Sequence, residues 1–183
     1  MNPAVIHGKR FYDEVTNEYI PIKGIAYYPR ANDGPIAEYD SEDYFTDAYR
    51  HVWEPHIQYF KDLDVNTLRI YAVDPSKSHD GFMCALQDAG IRVIVGLLAQ
   101  CENCGIGPGD PPSCYSPQLK QRGQYIINEF SKYPNTLAFS AGNEVGLYSD
   151  SENRLNNAPC QKKFLSDMRK YVSGKSYLIA IAN

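Results

Sequence analysis

The residues best suited to chemistry lie in segment 141–145 (AGNEV), at the end of an apolar run over residues 136–142. Such a run predicts a buried strand, which would place Glu144 just beyond its carboxyl end. A carboxyl group there can act as a general acid towards a glycosidic oxygen if its surroundings keep it protonated. Asn143 can bond a sugar hydroxyl without adding charge. The structural alternative is an Asn N-cap followed by a Glu in the first turn of a helix.

Arg69 and Tyr71 form a second candidate group, in an earlier apolar run over residues 67–73. Side chains two residues apart on a strand point to the same face, so these two would lie together. If that face lines an open groove, Arg69 can hold a carboxylate and Tyr71 can contact a substrate; ordinary packing is the alternative. Tyr27 and Tyr28, at the end of a preceding run, are similar candidates.

Other reactive residues fit less specific patterns. His79 has no second histidine at metal-ligand spacing and is interpreted as a loop or cap residue. Ser140 lacks the glycine context of a hydrolase nucleophile. Cys101 and Cys104, with Cys114, are compatible with a zinc or redox motif, but no fourth ligand stands at a suitable spacing. The pattern favours a loop held by disulfides, with no metal and no cofactor.

Short apolar runs alternate with longer amphipathic stretches after an opening hairpin in residues 5–12. A first strand is predicted in the second half of 19–28, followed by strands over 67–73, 91–98, 136–142 and 177–182 and helices over 47–63, 78–89, 118–130 and 160–172. The first helix would have an apolar face of four residues: Trp53, Ile57, Phe60 and Leu63.

This alternation implies parallel strands joined by right-handed crossovers. A glycine-rich phosphate loop is missing after the first strand, which lowers the odds of a dinucleotide-binding fold. We predict one α/β domain over residues 1–183, a (β/α)8 barrel that stops after about its fifth strand.

Composition limits the partners of the chain. The net charge is −4 and the basic residues are scattered, which argues against a nucleic-acid partner. The 15 Tyr, 7 Phe and 1 Trp offer flat faces suited to stacking against sugar rings, although half-buried packing is the more ordinary use. No run of about 18 apolar residues is present to span a membrane, and residues 1–11 lack the apolar core of a secretion signal.

Four segments together resemble the β-1,3-glucanosyltransferases of glycoside hydrolase family 72, which elongate cell-wall β-1,3-glucan in fungi. These segments are 23–27 (KGIAY), 66–73 (NTLRIYAV), 88–91 (DAGI) and 133–145 (YPNTLAFSAGNEV). The resemblance extends over about residues 5–172. It implies a (β/α)8 barrel and a retaining mechanism, in which a glycosyl-enzyme ester forms and a second glucan chain replaces water as acceptor. It also implies that Glu144 is the acid/base and that Asn143 and Tyr71 contact the donor sugar.

The chain departs from the family pattern in several places. The family nucleophile, a Glu in a Glu-Tyr-Gly-type motif, has no counterpart in the sequence, and a retaining mechanism needs two carboxyls about 5–5.5 Å apart. The chain is therefore expected to be inactive by itself. A cysteine pair that joins the first two barrel helices in the family falls on Trp53 and Phe82, so that disulfide is expected to be lost. A sugar-contacting Gln falls on Tyr28, and an Asp falls on Gly96.

The leading prediction is thus part of a 1,3-β-glucanosyltransferase whose partners are β-1,3-glucan donor and acceptor chains, with Tyr28 and Arg69 as further substrate-binding candidates. Because the family is commonly anchored through glycosylphosphatidylinositol, the resemblance implies a cell-surface location. Two alternatives stay open: a β-glucan hydrolase of the same barrel clan, and a glucan-binding protein without catalysis.

Overall fold

A computed structural model describes residues 1–29, 42–99, 104–106, 115–143, 151–173 and 180–182 of the chain. Within these ranges the strands form two sheets, a three-stranded antiparallel one and a five-stranded parallel one. No helix in the described ranges is long and apolar enough to cross a membrane.

The antiparallel sheet consists of β1 (Ala4–His7), β2 (Arg10–Asp13) and β3 (Tyr19–Ile20). The predicted hairpin is confirmed, and Gly8 takes a φ of +65° in its turn, which a residue without Cβ adopts at no steric cost. The side chain of Arg92 donates to the carbonyl of Asn2 over 2.9 Å. This bond joins the small sheet to the start of a strand in the parallel sheet.

The parallel sheet runs in the order β4 (Gly24–Tyr27), β5 (Thr67–Ile70), β6 (Arg92–Gly96), β7 (Thr136–Ser140) and β8 (Ala180–Ala182). Each strand pairs in parallel with the next one along the chain, the order expected of a repeated strand–helix–strand unit. The predicted α/β barrel class is confirmed, with five of the strands of a (β/α)8 arrangement in the described part of the chain.

Helical segments connect the parallel strands: a 3₁₀ turn at Asp47–Tyr49, α1 (Arg50–Trp53), α2 (His56–Asp62), α3 (Asp80–Asp88), α4 (Pro117–Phe130) and α5 (Ser151–Val172). The Ser116 hydroxyl caps α4 by accepting from the amide of Leu119. Gly90, just past α3, takes a φ of +76°, the left-handed conformation that ends many helices.

The prediction of one continuous helix over 47–63 was wrong. The helix is interrupted between Trp53 and His56 because Pro55 has no amide hydrogen to donate to the preceding turn. Leu63 then falls outside α2 and is 69% exposed, while Trp53 is fully buried. The expected apolar face therefore lacks its last member.

Two strands are shorter than the apolar runs suggested, and this sets where the edge of the sheet lies. β5 ends at Ile70 rather than Val73 because Ala72 has a φ of +54°, which is incompatible with extended backbone. β7 ends at Ser140. The residues just after these ends lie on the carboxyl-terminal edge of the sheet.

An aromatic contact joins the first and third α-helices. The rings of Trp53 and Phe82 meet edge to face with centroids 5.3 Å apart, and Phe45 packs on Phe82 at 5.0 Å. All three side chains are buried. Apolar packing therefore holds α1 against α3 at these two positions.

The last helix, α5, begins nine residues before the predicted start at Cys160 and contains Pro159. A proline normally interrupts a helix, which is why the pattern suggested a start after it. Downstream of Pro159, Phe164 and Met168 are fully buried. Their burial stabilises the helix against the cost of the proline.

Candidate active site

The carboxyl ends of the neighbouring parallel strands bring a layer of residues together. Tyr27 pairs with Ile70, so the next residues, Tyr28 and Tyr71, follow β4 and β5 side by side. Gly96 pairs with Ser140 at the ends of β6 and β7. This edge is where barrel enzymes build their sites.

Arg69 connects the ends of β5 and β7. Its Nη1 donates to the hydroxyl of Tyr71 over 2.8 Å, and its Cζ lies 4.7 Å from the centre of that ring. Its Nη2 donates to the Gly142 carbonyl at 3.2 Å and to Asn143 Oδ1 at 3.0 Å, with a longer contact of 3.5 Å to the Ser140 hydroxyl. The structure therefore brings three predicted site residues into one hydrogen-bonded group: Arg69, Tyr71 and Asn143.

This arrangement gives the amide of Asn143 a defined orientation. Because Oδ1 accepts from Arg69, the NH₂ group of Asn143 faces the other way and keeps two hydrogens to donate. No described residue accepts a hydrogen bond from this NH₂ group. The group can donate to a sugar hydroxyl.

The backbone between Ser140 and Asn143 is held from a second direction. The Ser140 hydroxyl donates to the Gly142 carbonyl over 2.8 Å, and Gln161 Nε2 on α5 donates to the Ala141 carbonyl over 2.6 Å. Three side chains thus fix two consecutive carbonyls. Ser140 is a backbone-holding residue here, in agreement with its rejection as a nucleophile.

Tyr28 lies in an aromatic group on the loop after β4. Its hydroxyl donates to the Glu42 carbonyl at 2.7 Å, and its ring centroid is 5.3 Å from that of Tyr44 and 6.4 Å from that of Phe45. The side chain is half-buried. These contacts fix the ring next to the position of Tyr71.

A buried hydrogen-bonded group ties together the loops that follow β4 and β5. His79 is fully buried, with Nε2 2.8 Å from Asp43 Oδ2, and the same oxygen accepts from the amide of Asp74 at 2.7 Å. These contacts agree with the interpretation of His79 as a structural residue.

Arg122 on α4 ties the ends of β5 and β6. Its guanidinium donates to the carbonyls of Val73, at 2.6 Å, and Leu97, at 3.2 Å. Burial lowers the pKa of Arg122, while the nearby carboxylates of Asp74 and Asp43 act in the opposite direction. The group stays charged, because an arginine remains protonated even after a moderate lowering of its pKa.

The cysteines in the described ranges do not form a metal site. Cys104 and Cys160 are disulfide-bonded, and Cys84 is an exposed free thiol. A cysteine in a disulfide has no thiolate to offer, which removes Cys104 from the zinc alternative. The described residues contain no group of three His, Cys, Asp or Glu side chains arranged to hold a metal ion. Cys101 and Cys114 lie outside these residues.

Glu144, the predicted acid/base, also lies outside the described residues, directly after Asn143. The residue that sequence reasoning missed is Gln161. A signal for it was present: Gln161 precedes Phe164 by three positions and Met168 by seven, which puts a polar amide on the apolar face of the helix.

A parallel α/β sheet with Arg, Tyr and Asn side chains grouped at its carboxyl-terminal edge has the features of an α/β-barrel protein, whose active site lies at that edge. The particular family follows from comparison. A model of glycoside hydrolase family 72, described as glucanosyltransferase, matches residues 1–180, and the chain belongs to this family. The predicted family is confirmed.

Several relatives of the chain are named 1,3-beta-glucanosyltransferases. The 1,3-beta-glucanosyltransferase GAS5 of Saccharomyces cerevisiae is 32% identical over 172 residues, which are 94% of this chain and 33% of the relative. The 1,3-beta-glucanosyltransferase gas5 of Schizosaccharomyces pombe is 33% identical over 174 residues, 93% of this chain and 31% of the relative. The chain therefore spans about a third of the length of these relatives.

Solved structures agree with this grouping. Saccharomyces cerevisiae Gas2p in complex with laminaripentaose matches with a TM-score of 0.80 at 31% identity, over 99% of this chain and 39% of that one. The same protein in complex with laminaritriose and laminaritetraose gives a TM-score of 0.80 at 30% identity, over 99% and 38% of the two chains.

Proposed function

We propose that this chain contributes the acid/base segment and part of the donor site of a retaining 1,3-β-glucanosyltransferase. Family membership and the names of the relatives support this activity for the whole protein. The observation that carries the proposal is the position of Asn143, held by Arg69 at the carboxyl end of β7 with its NH₂ group available to donate.

Glu144 is the proposed acid/base. As the donor glucan is cleaved, the carboxyl of Glu144 gives a proton to the oxygen of the departing chain. A carboxylate nucleophile supplied by the rest of the active site then bonds to the anomeric carbon. In the second step Glu144 removes a proton from the hydroxyl of an acceptor glucan, which displaces the enzyme ester. The β-linkage is thereby re-formed on a new chain.

Asn143 and Tyr71 are proposed to contact the donor sugar. The Asn143 amide donates to a ring hydroxyl, while the Tyr71 hydroxyl, which already accepts from Arg69, still has its own hydrogen to donate. A hydrogen bond from a cationic guanidinium makes that hydroxyl a better donor. Tyr28 is proposed to add an aromatic face beside them.

Arg69 acts mainly through these two residues. Its described hydrogen bonds all go to protein groups, which occupy both Nη atoms. The guanidinium thus contacts groups at the ends of β5 and β7, and in this position it orients Tyr71 and Asn143. A direct contact to substrate would use its remaining N–H directions.

The proposed partners are β-1,3-glucan chains as donor and acceptor, and the proposed location is the cell surface. Laminari-oligosaccharides, which are bound in the matching Gas2p structures, are β-1,3-linked and so serve as probes. Attachment through glycosylphosphatidylinositol is part of this proposal by family resemblance.

Titration with laminaripentaose, followed by calorimetry, tests the proposed donor site on the chain itself. We expect saturable binding that weakens about tenfold in Asn143→Ala, because a hydrogen bond to the sugar is lost. The exposed Gln58→Ala variant, on the outer helix α2, is the control and should bind as the wild type does. Equal affinity in Asn143→Ala would contradict the proposed role of Asn143.

Azide can supply the missing nucleophile and test the acid/base role. With an aryl β-laminaribioside, azide would attack the anomeric carbon opposite the leaving group and form an α-glycosyl azide, while Glu144 protonates the departing aryl oxygen. We expect this product from the wild type and much less from Glu144→Gln when the leaving group is poor. Binding without azide product in both proteins would favour the non-catalytic alternative.

A further inference from the structure

Gln161 is a buried amide that makes one of its four possible hydrogen bonds within the described part of the chain. It is 5% exposed, and its Nε2 donates to the Ala141 carbonyl over 2.6 Å. Its Oε1 has no hydrogen-bond donor within the described part of the chain. A buried carbonyl oxygen without a partner costs free energy, so an apolar side chain of similar size would suit simple packing better.

The backbone beneath Gln161 is shaped to receive this amide. A Cβ added to Gly142 would lie 2.7 Å from Gln161 Nε2 and 2.9 Å from Cδ, closer than such atoms approach in real structures. Gly142 therefore leaves the space that the amide occupies. This arrangement requires a glycine at position 142, because a Cβ there would overlap the Gln161 amide that binds the neighbouring Ala141 carbonyl.

Gln161 and Arg69 hold neighbouring residues of segment 141–143 from two different elements. Gln161 on α5 fixes the Ala141 carbonyl, whereas Arg69 on β5 fixes the Gly142 carbonyl and the Asn143 side chain. Because the plane of a peptide group contains its carbonyl, these bonds fix the two peptide planes that lead into Asn143.

We propose that Gln161 is a positioning residue for the donor site: it acts through the Ala141 carbonyl to orient the backbone that carries Asn143. The proposal rests on the role of Asn143 given under Proposed function. The contribution of Gln161 is to limit the orientations of the peptide groups that precede Asn143.

Two substitutions separate this role from packing. Gln161→Met keeps the volume and removes the donor, so the Ala141 carbonyl is released without a cavity. Gln161→Glu keeps the shape: when protonated, its O–H can donate to Ala141, and when ionised it repels that carbonyl. The adjacent Lys162, which is exposed and has no hydrogen bond or ion pair among the described residues, supplies the matched control Lys162→Ala.

The first measurement is made on the isotope-labelled chain without ligand. We expect Gln161→Met to move the backbone amide resonance of Gly142 and the side-chain NH₂ resonances of Asn143, and Lys162→Ala to leave both in place. Unchanged resonances in a folded Gln161→Met protein would overturn the proposal. This measurement does not depend on whether the chain binds glucan.

The second measurement is laminaripentaose affinity as a function of pH. Relative to wild type, Gln161→Met should bind about tenfold more weakly at every pH, as expected for loss of one buried hydrogen bond. Gln161→Glu should bind nearly as the wild type does in acid and lose affinity as its carboxyl ionises. A loss that is the same at all pH values in Gln161→Glu would overturn the donor role, whereas failure of the wild type to bind would count against the proposed function alone.

Discussion

Nη2 of Arg69 lies 3.0 Å from Oδ1 of Asn143, although 74 residues separate them in the sequence. The bond crosses from the end of β5 to the end of β7 and passes over β6, which ends in Gly96 at this edge. A Cβ at position 96 would lie only 3.2 Å from the Ile70 carbonyl, so the end of β6 packs closely against the backbone of β5. The Arg69–Asn143 bond therefore connects the two strands on either side of β6.

Replacing Arg69 with Lys should weaken laminaripentaose binding. A lysine keeps the charge but is a compact group without the planar fork, so it does not reach Tyr71 and Asn143 together. We expect a loss of about tenfold in affinity, the range for one to two hydrogen bonds left unmade. Arg50→Lys, on an exposed Arg50–Glu54 ion pair, is the matched control and should have no effect. Wild-type affinity in Arg69→Lys would show that the bridging bonds are dispensable.

Tyr71→Phe removes one oxygen and keeps the ring that Arg69 packs against. The loss takes away the acceptor for Arg69 Nη1 and the proposed sugar contact. We expect affinity for laminaripentaose to fall about fivefold, while the free energy of unfolding changes by less than about 1 kcal/mol, because water can replace the lost acceptor. Calorimetric titration and urea unfolding measure the two effects. Tyr125→Phe, at a 52% exposed site, should change neither.

Phe82→Ala should strongly destabilise the fold. Phe82 is 1% exposed and packs between Trp53 and Phe45. The expected loss in the free energy of unfolding is about 3–5 kcal/mol, typical of a large aromatic residue cut back to Ala in a core. Urea unfolding measures it. Leu63→Ala, at a 69% exposed position, should stay within about 0.5 kcal/mol of wild type.

Stability should fall in acid through Asp167, which links α5 to the loop before α4. Its carboxylate accepts from Tyr115 at 2.8 Å and from Lys163 at 2.8 and 2.9 Å. Burial raises the pKa of Asp167, but the hydrogen bonds from Lys163 and Tyr115 outweigh burial and leave the pKa below its ordinary value. The unfolded chain, with an Asp pKa of about 3.9, therefore binds the proton more readily.

The sign follows from this difference. The stabilisation by Asp167 is fully present above about pH 5 and is lost as the pH falls through the lowered folded-state pKa. Thermal unfolding between pH 7 and pH 3 should show a smaller acid-induced drop in Tm for Asp167→Asn than for the wild type. Asp88→Asn, at an exposed position without hydrogen bonds or ion pairs to described residues, should keep the wild-type slope. Equal slopes in Asp167→Asn and wild type would contradict the assignment.

Local patterns were sufficient for the order of the elements. Near-continuous apolar runs gave the strands, since a strand buried on both faces has no polar side to show, and the crossover spacing gave the parallel pairing. The same reasoning failed at Pro55 and at Ala72. At Pro55 the apolar spacing continued through a residue that lacks an amide hydrogen, and at Ala72 a positive φ ended β5 in a residue type that gives no warning of it.

The sequence by itself determined that Asn143 and Glu144 follow a buried strand and that Arg69 and Tyr71 lie together, because both statements depend only on residues close to one another in the chain. Only the tertiary structure decided that Arg69 binds Asn143 and that Gln161 binds the Ala141 carbonyl. Those bonds depend on the register between strands and on how α5 packs against β7. Register and packing are set by contacts between distant segments, and no short window of sequence contains both partners.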